Sequence, residues 1–584
     1  MDQGQELADF DSSHPYNAST YADISGHRYR QKDELALARL GKKQVLKRRF
    51  GFLSLFGFSC TILATWETAL GLFQEAFQNG GPAGLTYGFI IAWFSTFSVY
   101  LVIAELASLA PTAGGQYFWV SILAPRKYKR FASYITGWLT SIAWVAVLAT
   151  GSIYVGTIIQ GLIILNHPKY DAQKWQGTLL CWAVILVAVF VNTVVSGLLP
   201  IIEGVILIFH ILGFIAVLVP LVYLAPHGSV ASVFQTSLNE GGWPTQGLSY
   251  CVGFIGNVAT FVGADAAVHM SEEIENAAVN VPRAIFTTMI LNGATGFAMV
   301  IAVLLCLGDI DSVIVSNLPS NPEAALTSAK NTPTGFPFIQ AFYNGTGSYA
   351  GATVMAGLPV ALLWCAVIGF LATASRITWS FSRDRGVPFH RFISLIEPRT
   401  RIPMVAIGVV TLIPALLALI YIGSSSVFED VVSLSTSGLY ASYFITCSLL
   451  FWRRVTGQIK PYSSRDDEGT SASAFSTGLS AESPGDDEVV QPTLVWGPWR
   501  VPGILGTLNN AYACVYILFV LFWSFWPPST PPTPSSMNYS VLMTGAVIMF
   551  SIVYYYIWGK NQYMGPLIER EVRSFARKIG KDSE

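Results

Sequence analysis

Apolar residues dominate this chain in long stretches, separated by short polar connections, with almost no two-residue alternation of the kind a half-buried strand would need. Stretches of about 20 residues suffice for a helix to cross a bilayer. On that criterion the pattern predicts helices over 50–76, 84–109, 132–163, 177–196, 201–224, 249–270, 284–307, 352–381, 403–422, 428–452, 503–526 and 539–558. The expected fold is therefore an all-α polytopic membrane protein of twelve transmembrane helices. Two of these spans are irregular. In the first, Gly57, Ser59, Thr61 and Thr65 dilute the helix formers and Glu67 puts an ionisable group inside the span. The sixth does the same from Gly253 through Asn257, Thr260 and Gly263 to Asp265.

The polar remainder sets the domain plan. Residues 1–49 read as an N-terminal tail, 50–452 as a ten-helix core with halves at about 50–224 and 249–452, 453–502 as a partly disordered loop, 503–558 as the last two helices, and 559–584 as a C-terminal tail. The loop reading rests on residues 461–491, rich in Ser, Gly and acids and too polar to bury a core. A Pro-rich connection, Pro527 to Pro534, precedes the last helix. No early apolar segment resembles a signal peptide, so insertion is expected to begin with the first span.

Charge orients the plan. With the N-terminus inside, 31 of the 34 Lys and Arg fall in cytoplasmic segments, and only Lys169, Lys174 and Lys330 lie outside. Positively charged loops stay in the cytoplasm, so both termini are expected there. Two sequons, at Asn344 and Asn538, fall in outside connections. Composition agrees with a membrane solvent: 52% of residues are hydrophobic and 12% charged, against about 25% charged in soluble domains. Seven cysteines lie scattered in apolar runs, without the spacing of a disulfide framework or a metal site.

The two irregular spans occupy corresponding positions, first of five and sixth of ten, in opposite directions. Paired Gly-interrupted segments mark the site of inverted-repeat transporters. Close packing alone also favours small residues in membrane helices, but the matching positions favour a site. Freed backbone around Ser59, Cys60, Thr61 and Ile62 would offer amides to a carboxylate and carbonyls to a cation. Asn257 to Gly263 would supply the matching half.

Three further motifs resemble a known family. The run Ala104-Glu105-Leu106-Ala107-Ser108 through Pro111 to Gly114-Gly115-Gln116-Tyr117 is similar to the signature after helix two of amino acid-polyamine-organocation permeases. Ser271-Glu272-Glu273-Ile274-Glu275-Asn276 with Val281-Pro282-Arg283 resembles their segment after helix six. Thr373-Ala374-Ser375-Arg376, Ser382 to Pro388 and Arg401-Ile402-Pro403 resemble the end of helix eight and the loop beyond. Gly80-Gly81-Pro82 and Leu123 to Phe131 look like the fungal amino acid/choline (choline/GABA permease-like) branch. The resemblance covers about 50–555 and implies a LeuT-like fold of five helices plus five inverted, two more helices, and alternating access. It departs at Ala64-Thr65-Trp66-Glu67, where choline and GABA carriers of the branch are expected to read Asn-Ser-Trp, so the substrate stays open.

The expected function is secondary active import of an amino acid, choline, GABA or a related small amine, probed against an alternative: a nutrient sensor of the same fold. Candidate substrate contacts are Ser59, Cys60, Thr61, Thr65, Trp66, Glu67, Asn257, Thr260, Phe261 and Gly263, with Phe254 as a further aromatic wall. Glu67 is the candidate partner for a substrate amine. For coupling and gating the candidates are His210, Asp265, Thr373, Ser375, Glu105, Glu272 and Glu273. His210 suits a proton relay, although a lone hydrogen-bonded histidine would read the same way. Thr373 and Ser375 correspond by resemblance to sodium-ligating hydroxyls, which leaves proton and sodium both open, with the proton favoured. Glu105, Glu272 and Glu273 with Arg376, Arg383 and Arg385 suggest an inner gate. Partners are a small-molecule substrate and the lipid bilayer, with no nucleic acid; no cofactor or resident metal is expected. No phosphate loop, HExxH or nucleophile motif suggests an enzyme.

Overall fold

The computed structural model describes residues 33, 34, 36–38, 40–167, 169–307, 334–423, 426–462, 494–534 and 536–566. The central part of the polar loop read as disordered, 463–493, lies outside these residues, as do most of the N-terminal tail, Lys330, and the C-terminal tail from residue 567. Helices account for most of the described chain. They are α1 (Phe52–Leu63), α2 (Thr65–Gly71), α3 (Phe73–Leu109), α4 (Gln116–Leu123), α5 (Lys129–Asn166), α6 (Lys174–Thr193), α7 (Leu199–Leu224) and α8 (Gln246–Ala259). The chain continues through α9 (Ala266–His269), α10 (Ala277–Leu305), α11 (Pro337–Thr346), α12 (Tyr349–Arg383), α13 (Met404–Gly423), α14 (Ser426–Val455), α15 (Gly503–Trp523) and α16 (Ser540–Tyr554). A two-residue parallel pairing of β1 (Ile459–Lys460) with β2 (Leu494–Val495) is the one strand pair among the described residues.

Eleven of these units are long and apolar enough to cross a membrane, α1 and α2 counting together as one. The sixth predicted span is absent from that set because it is broken: α8 stops at Ala259, and the chain resumes helix only at Ala266. Twelve crossings follow from eleven continuous or nearly continuous spans and this divided one.

Two boundaries differ from the hydrophobic pattern. Span two begins at Phe73, because Gly80-Gly81-Pro82 forms a kink inside helix, with Gly81 at φ 65°, instead of a loop. A Cβ at Gly81 would come within 2.7 Å of the Leu238 amide, so glycine is needed there on both counts. Span seven extends back to Ala277, with Pro282 inside the helix instead of ahead of it. The Asn538 sequon is also not a free surface group. Its side-chain amide donates to the Ser524 and Trp526 carbonyls at 2.8 and 3.0 Å, tying the Pro-rich connection to the end of α15.

Burial is concentrated on the core spans. Trp66, Trp119, Trp144, Trp379, Tyr100, Tyr117 and Tyr134 are among the largest fully enclosed side chains. By contrast, α7, α13 and α16 each turn a broad apolar face outward, with Ile208, Phe209, Leu416 and Leu542 exposed, as expected where lipid is the solvent. Near the chain start, Phe50 pairs its backbone with the stretch after α9: Glu275 N donates to Phe50 O, and Phe50 N donates to Glu273 O. The segment before the first helix is thereby docked beneath the sixth span.

Candidate functional site

Span one is interrupted at a single residue. Ala64 takes φ 39°, ψ 45°, a left-handed conformation that separates α1 from α2. For a residue with a Cβ this costs about 1–2 kcal/mol, so surrounding contacts must hold it. One is visible: the Thr65 amide, freed by the break, donates to Asn292 Oδ1 of α10 at 3.2 Å. Ser59, Cys60, Thr61 and Ile62, expected to unwind, are helical instead. Gly57 has a packing role, since a Cβ there would lie 2.4 Å from the Glu203 carbonyl oxygen of α7.

Span six breaks as its sequence suggested. After Ala259 the chain turns through Thr260 to Asp265, with Gly263 at φ 123°. Tyr100 of α3 clamps this turn, donating to Phe261 O at 3.0 Å and accepting from Gly263 N and Ala264 N at 3.1 and 3.3 Å. No sequence pattern marked Tyr100. The two breaks face one another: a Cβ on Gly263 would touch Ile62 Cγ2 at 3.1 Å. Asn257 is buried beside the break with neither side-chain atom hydrogen-bonded.

Between the breaks lies a cavity. Ile62, Leu63 and Thr68 from span one and Ala259 and Val262 from span six form one side of it. Val147, Thr150, Gly151 and Tyr154 of α5, Phe370 of α12, and Ser435 and Thr436 of α14 close the other. Its walls are apolar with a scatter of hydroxyls, and no charged side chain lines it. None of the ten predicted substrate contacts lines it either; they sit beside the lining positions. Trp66 packs on His210 and Phe214, Phe261 on Phe89, and Phe254 on Tyr516 and Phe519, whereas the aromatic rings that line the cavity are those of Tyr154 and Phe370. Thr150, Thr68, Ser435 and Thr436 were not legible, because lone hydroxyls in apolar spans are common.

Glu67 points away from the cavity. Its Oε1 lies 2.7 Å from His210 Nδ1, both residues are 1% exposed, and Glu67 Oε2 and His210 Nε2 have no further partner. Two residues assigned to different roles thus form one buried acid–base pair between span one and α7. Asp265 is held by Gln116 Nε2 at 2.8 Å and lies 3.6 Å from His269 Nε2. The hydroxyls of Thr373 and Ser375 donate to carbonyls of their own helix, and Ser375 also accepts from Arg376.

One face of the bundle is sealed by ion pairs. Arg383 grips Glu272 through both terminal nitrogens at 2.6 and 3.0 Å, and Arg376 Nε lies 2.8 Å from Glu273 Oε1. Glu105 joins a different group: it pairs with Arg454 of α14 and accepts from the Val501 amide at 2.9 Å. The N-terminal segment completes the seal. Lys42, 1% exposed, pairs with Asp384, which also accepts from Tyr117 at 2.9 Å. Burial lowers the Lys42 ammonium from its ordinary value, with Asp384 opposing the shift. Asp33 accepts from the Asn276 amide at 2.7 Å and lies 3.7 Å from Arg48; burial raises its carboxyl, with Arg48 opposing.

Comparison with known proteins agrees with this architecture. The sequence model of the amino acid permease family matches residues 50–547. A putative amino acid/polyamine transporter of Macrophomina phaseolina is 30% identical over 69% of this chain and 85% of its own length. The choline transporter of Saccharomyces cerevisiae is 29% identical over 68% of each chain. An amino-acid permease of Arabidopsis thaliana is 27% identical over 70% of this chain and 80% of its own.

Proposed function

We propose that this chain, which belongs to the amino acid permease family, imports a small amine or amino acid with a neutral body by proton-coupled alternating access. Transport across a membrane and the absence of enzymatic chemistry follow from the family; the substrate class and the coupling ion are our reading. The observation that carries it is the buried Glu67–His210 pair beside the break in span one.

Two half-helices, α1 and α8, end at the cavity, at Leu63 and Ala259. Helix C-termini carry roughly half a negative charge each, so they favour a substrate ammonium without a carboxylate in the wall. Apolar walls accept its body, and the hydroxyls of Thr68, Thr150, Ser435 and Thr436 accept polar substituents. That the named relatives include a choline transporter and an amino acid/polyamine transporter supports an amine-bearing substrate.

Coupling falls to the acid–base pair. Histidine is the side chain suited to exchanging a proton near neutrality, and Glu67 is the group placed to share that proton. Loading a proton there neutralises the carboxylate at the hinge between α1 and α2, and losing it restores a buried charge that opposes the same packing. The ion pairs of Glu272 with Arg383 and Glu273 with Arg376 close the opposite access route. The distribution of Lys and Arg supports placing this sealed face, with both termini, on the cytoplasmic side. Uptake of labelled choline, GABA and a mixed amino acid set, by cells expressing the protein with and without an inward pH gradient, tests the reading. Gradient-dependent accumulation of at least one is expected; no uptake of any would reject import.

A further inference from the structure

We propose that Glu203 is a second proton-binding group of the transport cycle, two helical turns from His210 on the same face of α7 and on the side nearer the N-terminal segment. The inference rests on the proton-coupled reading above and extends it to a residue that no sequence pattern marked.

Glu203 is fully buried, 0% exposed, and neither carboxyl oxygen has a hydrogen-bond partner. Among the described residues, the other buried carboxylates of the core spans are answered: Glu67 by His210, Glu105 by Arg454, Asp265 by Gln116. The groups facing Glu203 are neutral. From α1 comes the Thr61 hydroxyl, already donated to Gly57 O at 2.9 Å; from α12 comes the Cys365 thiol. On its own helix the nearest titratable group is His210, seven residues on, with Leu207 buried between them. At the start of α7 the Arg49 guanidinium donates to the Ser196 carbonyl and does not pair with Glu203. A charged carboxylate in such surroundings has nothing to offset its lost hydration, whereas the neutral acid does not incur that loss. The conformation described here accordingly holds Glu203 as the acid.

Geometry makes that proton conditional on conformation. The backbones of α1 and α7 approach closely at Gly57 and Glu203, so moving α1 away from α7 opens the packing beside this carboxyl. Cys365 lies within electrostatic reach of both Glu203 and Glu67, which puts the two stations in one seam between α1, α7 and α12. Seven residues of helix separate His210 from Glu203 by about 10 Å, too far for direct transfer. Once α1 moves, the O–H bond of Glu203 breaks first, the proton passes to water on the cytoplasmic side, and a hydrated carboxylate is left. An N–H bond of the His210 imidazolium then breaks and, through intervening water, the O–H bond on Glu203 forms again, which returns the acid and leaves His210 neutral.

The test uses the full chain in lipid nanodiscs and infrared difference spectroscopy across a pH titration. Wild type should show a protonated buried carboxyl at neutral pH; Glu203→Gln should delete that band and Glu203→Asp should shift it. A band unchanged in both variants, or no such band in wild type, overturns the proposal. In proteoliposomes, Glu203→Gln should lose gradient-driven accumulation of the substrate found among choline, GABA and amino acids while keeping substrate exchange. Wild-type accumulation by this variant overturns the proposal as well. Absence of gradient-driven accumulation in wild type would instead reject proton coupling, and the infrared band would still decide whether Glu203 holds a proton.

Discussion

His210 Nδ1 of α7 lies 2.7 Å from Glu67 Oε1, one turn beyond the single left-handed residue that divides span one. The pair joins the histidine of α7 to the part of the chain that the proposed alternating-access cycle would rearrange. Removing one partner of a buried pair costs about 3–5 kcal/mol, because the other is left uncompensated. Glu67→Gln and His210→Gln are each expected to lower the melting temperature of the purified protein. The double variant should lose much less than the sum of the two, a non-additivity that a thermal-shift double-mutant cycle reads directly.

Ala64 tests the hinge. Ala64→Gly relieves about 1–2 kcal/mol of left-handed strain and adds about 0.5–1 kcal/mol of unfolded-state entropy. Stability and uptake should therefore stay close to wild type. Ala64→Val, which cannot adopt φ 39° without strain, should lose both. Equal behaviour of the two variants in an uptake and melting assay would argue against a strained hinge.

Tyr154 forms one wall of the cavity, and its hydroxyl leaves no space at Gly71. A Cβ there would lie 0.9 Å from that oxygen. Gly71→Ala must displace the ring into the cavity or push α2 off α5. Overpacking of this kind costs about 1–3 kcal/mol, and the expected outcome is a raised KM for uptake with expression retained.

Lys42 holds the N-terminal segment against Asp384. Lys42→Ala leaves Asp384 buried with a shorter list of donors, and the segment from Lys42 to Phe50 should undock, becoming a protease target in inside-out vesicles. The pH sense follows from the direction of its shift. Burial lowers Lys42 from 10.5, so the docked state binds fewer protons than the undocked one within the window below that value. Docking should strengthen as pH rises through the window and weaken as it falls, and Lys42→Met should flatten the dependence of protease protection on pH.

Much of this was legible in the sequence, for reasons that differ by element. Twelve crossings could be counted because lipid exposure demands uninterrupted apolar length, and the charge pattern kept the count in register. The break in span six was visible because Gly263 must adopt a conformation that other residues resist. In span one the same clue misled: Gly57 serves backbone contact with Glu203, and the break is made by Ala64, which carries no signal. Glu67 and His210 were each identified as candidates, yet their pairing needed the fold, since they come from spans far apart in sequence. Glu203 lies near the predicted start of its span, a position from which its burial cannot be read. The cavity hydroxyls and the Tyr100 clamp act through three-dimensional convergence, which periodicity does not encode.

The most direct test of proton coupling through Glu67 and His210 follows both fluxes in one preparation. Proteoliposomes holding the full chain and a pH-sensitive dye receive a pulse of the substrate identified by uptake. The account predicts that substrate entry acidifies the lumen in wild type, and that Glu67→Gln and His210→Ala abolish acidification while substrate exchange persists. Substrate-driven acidification that survives in both variants would contradict it.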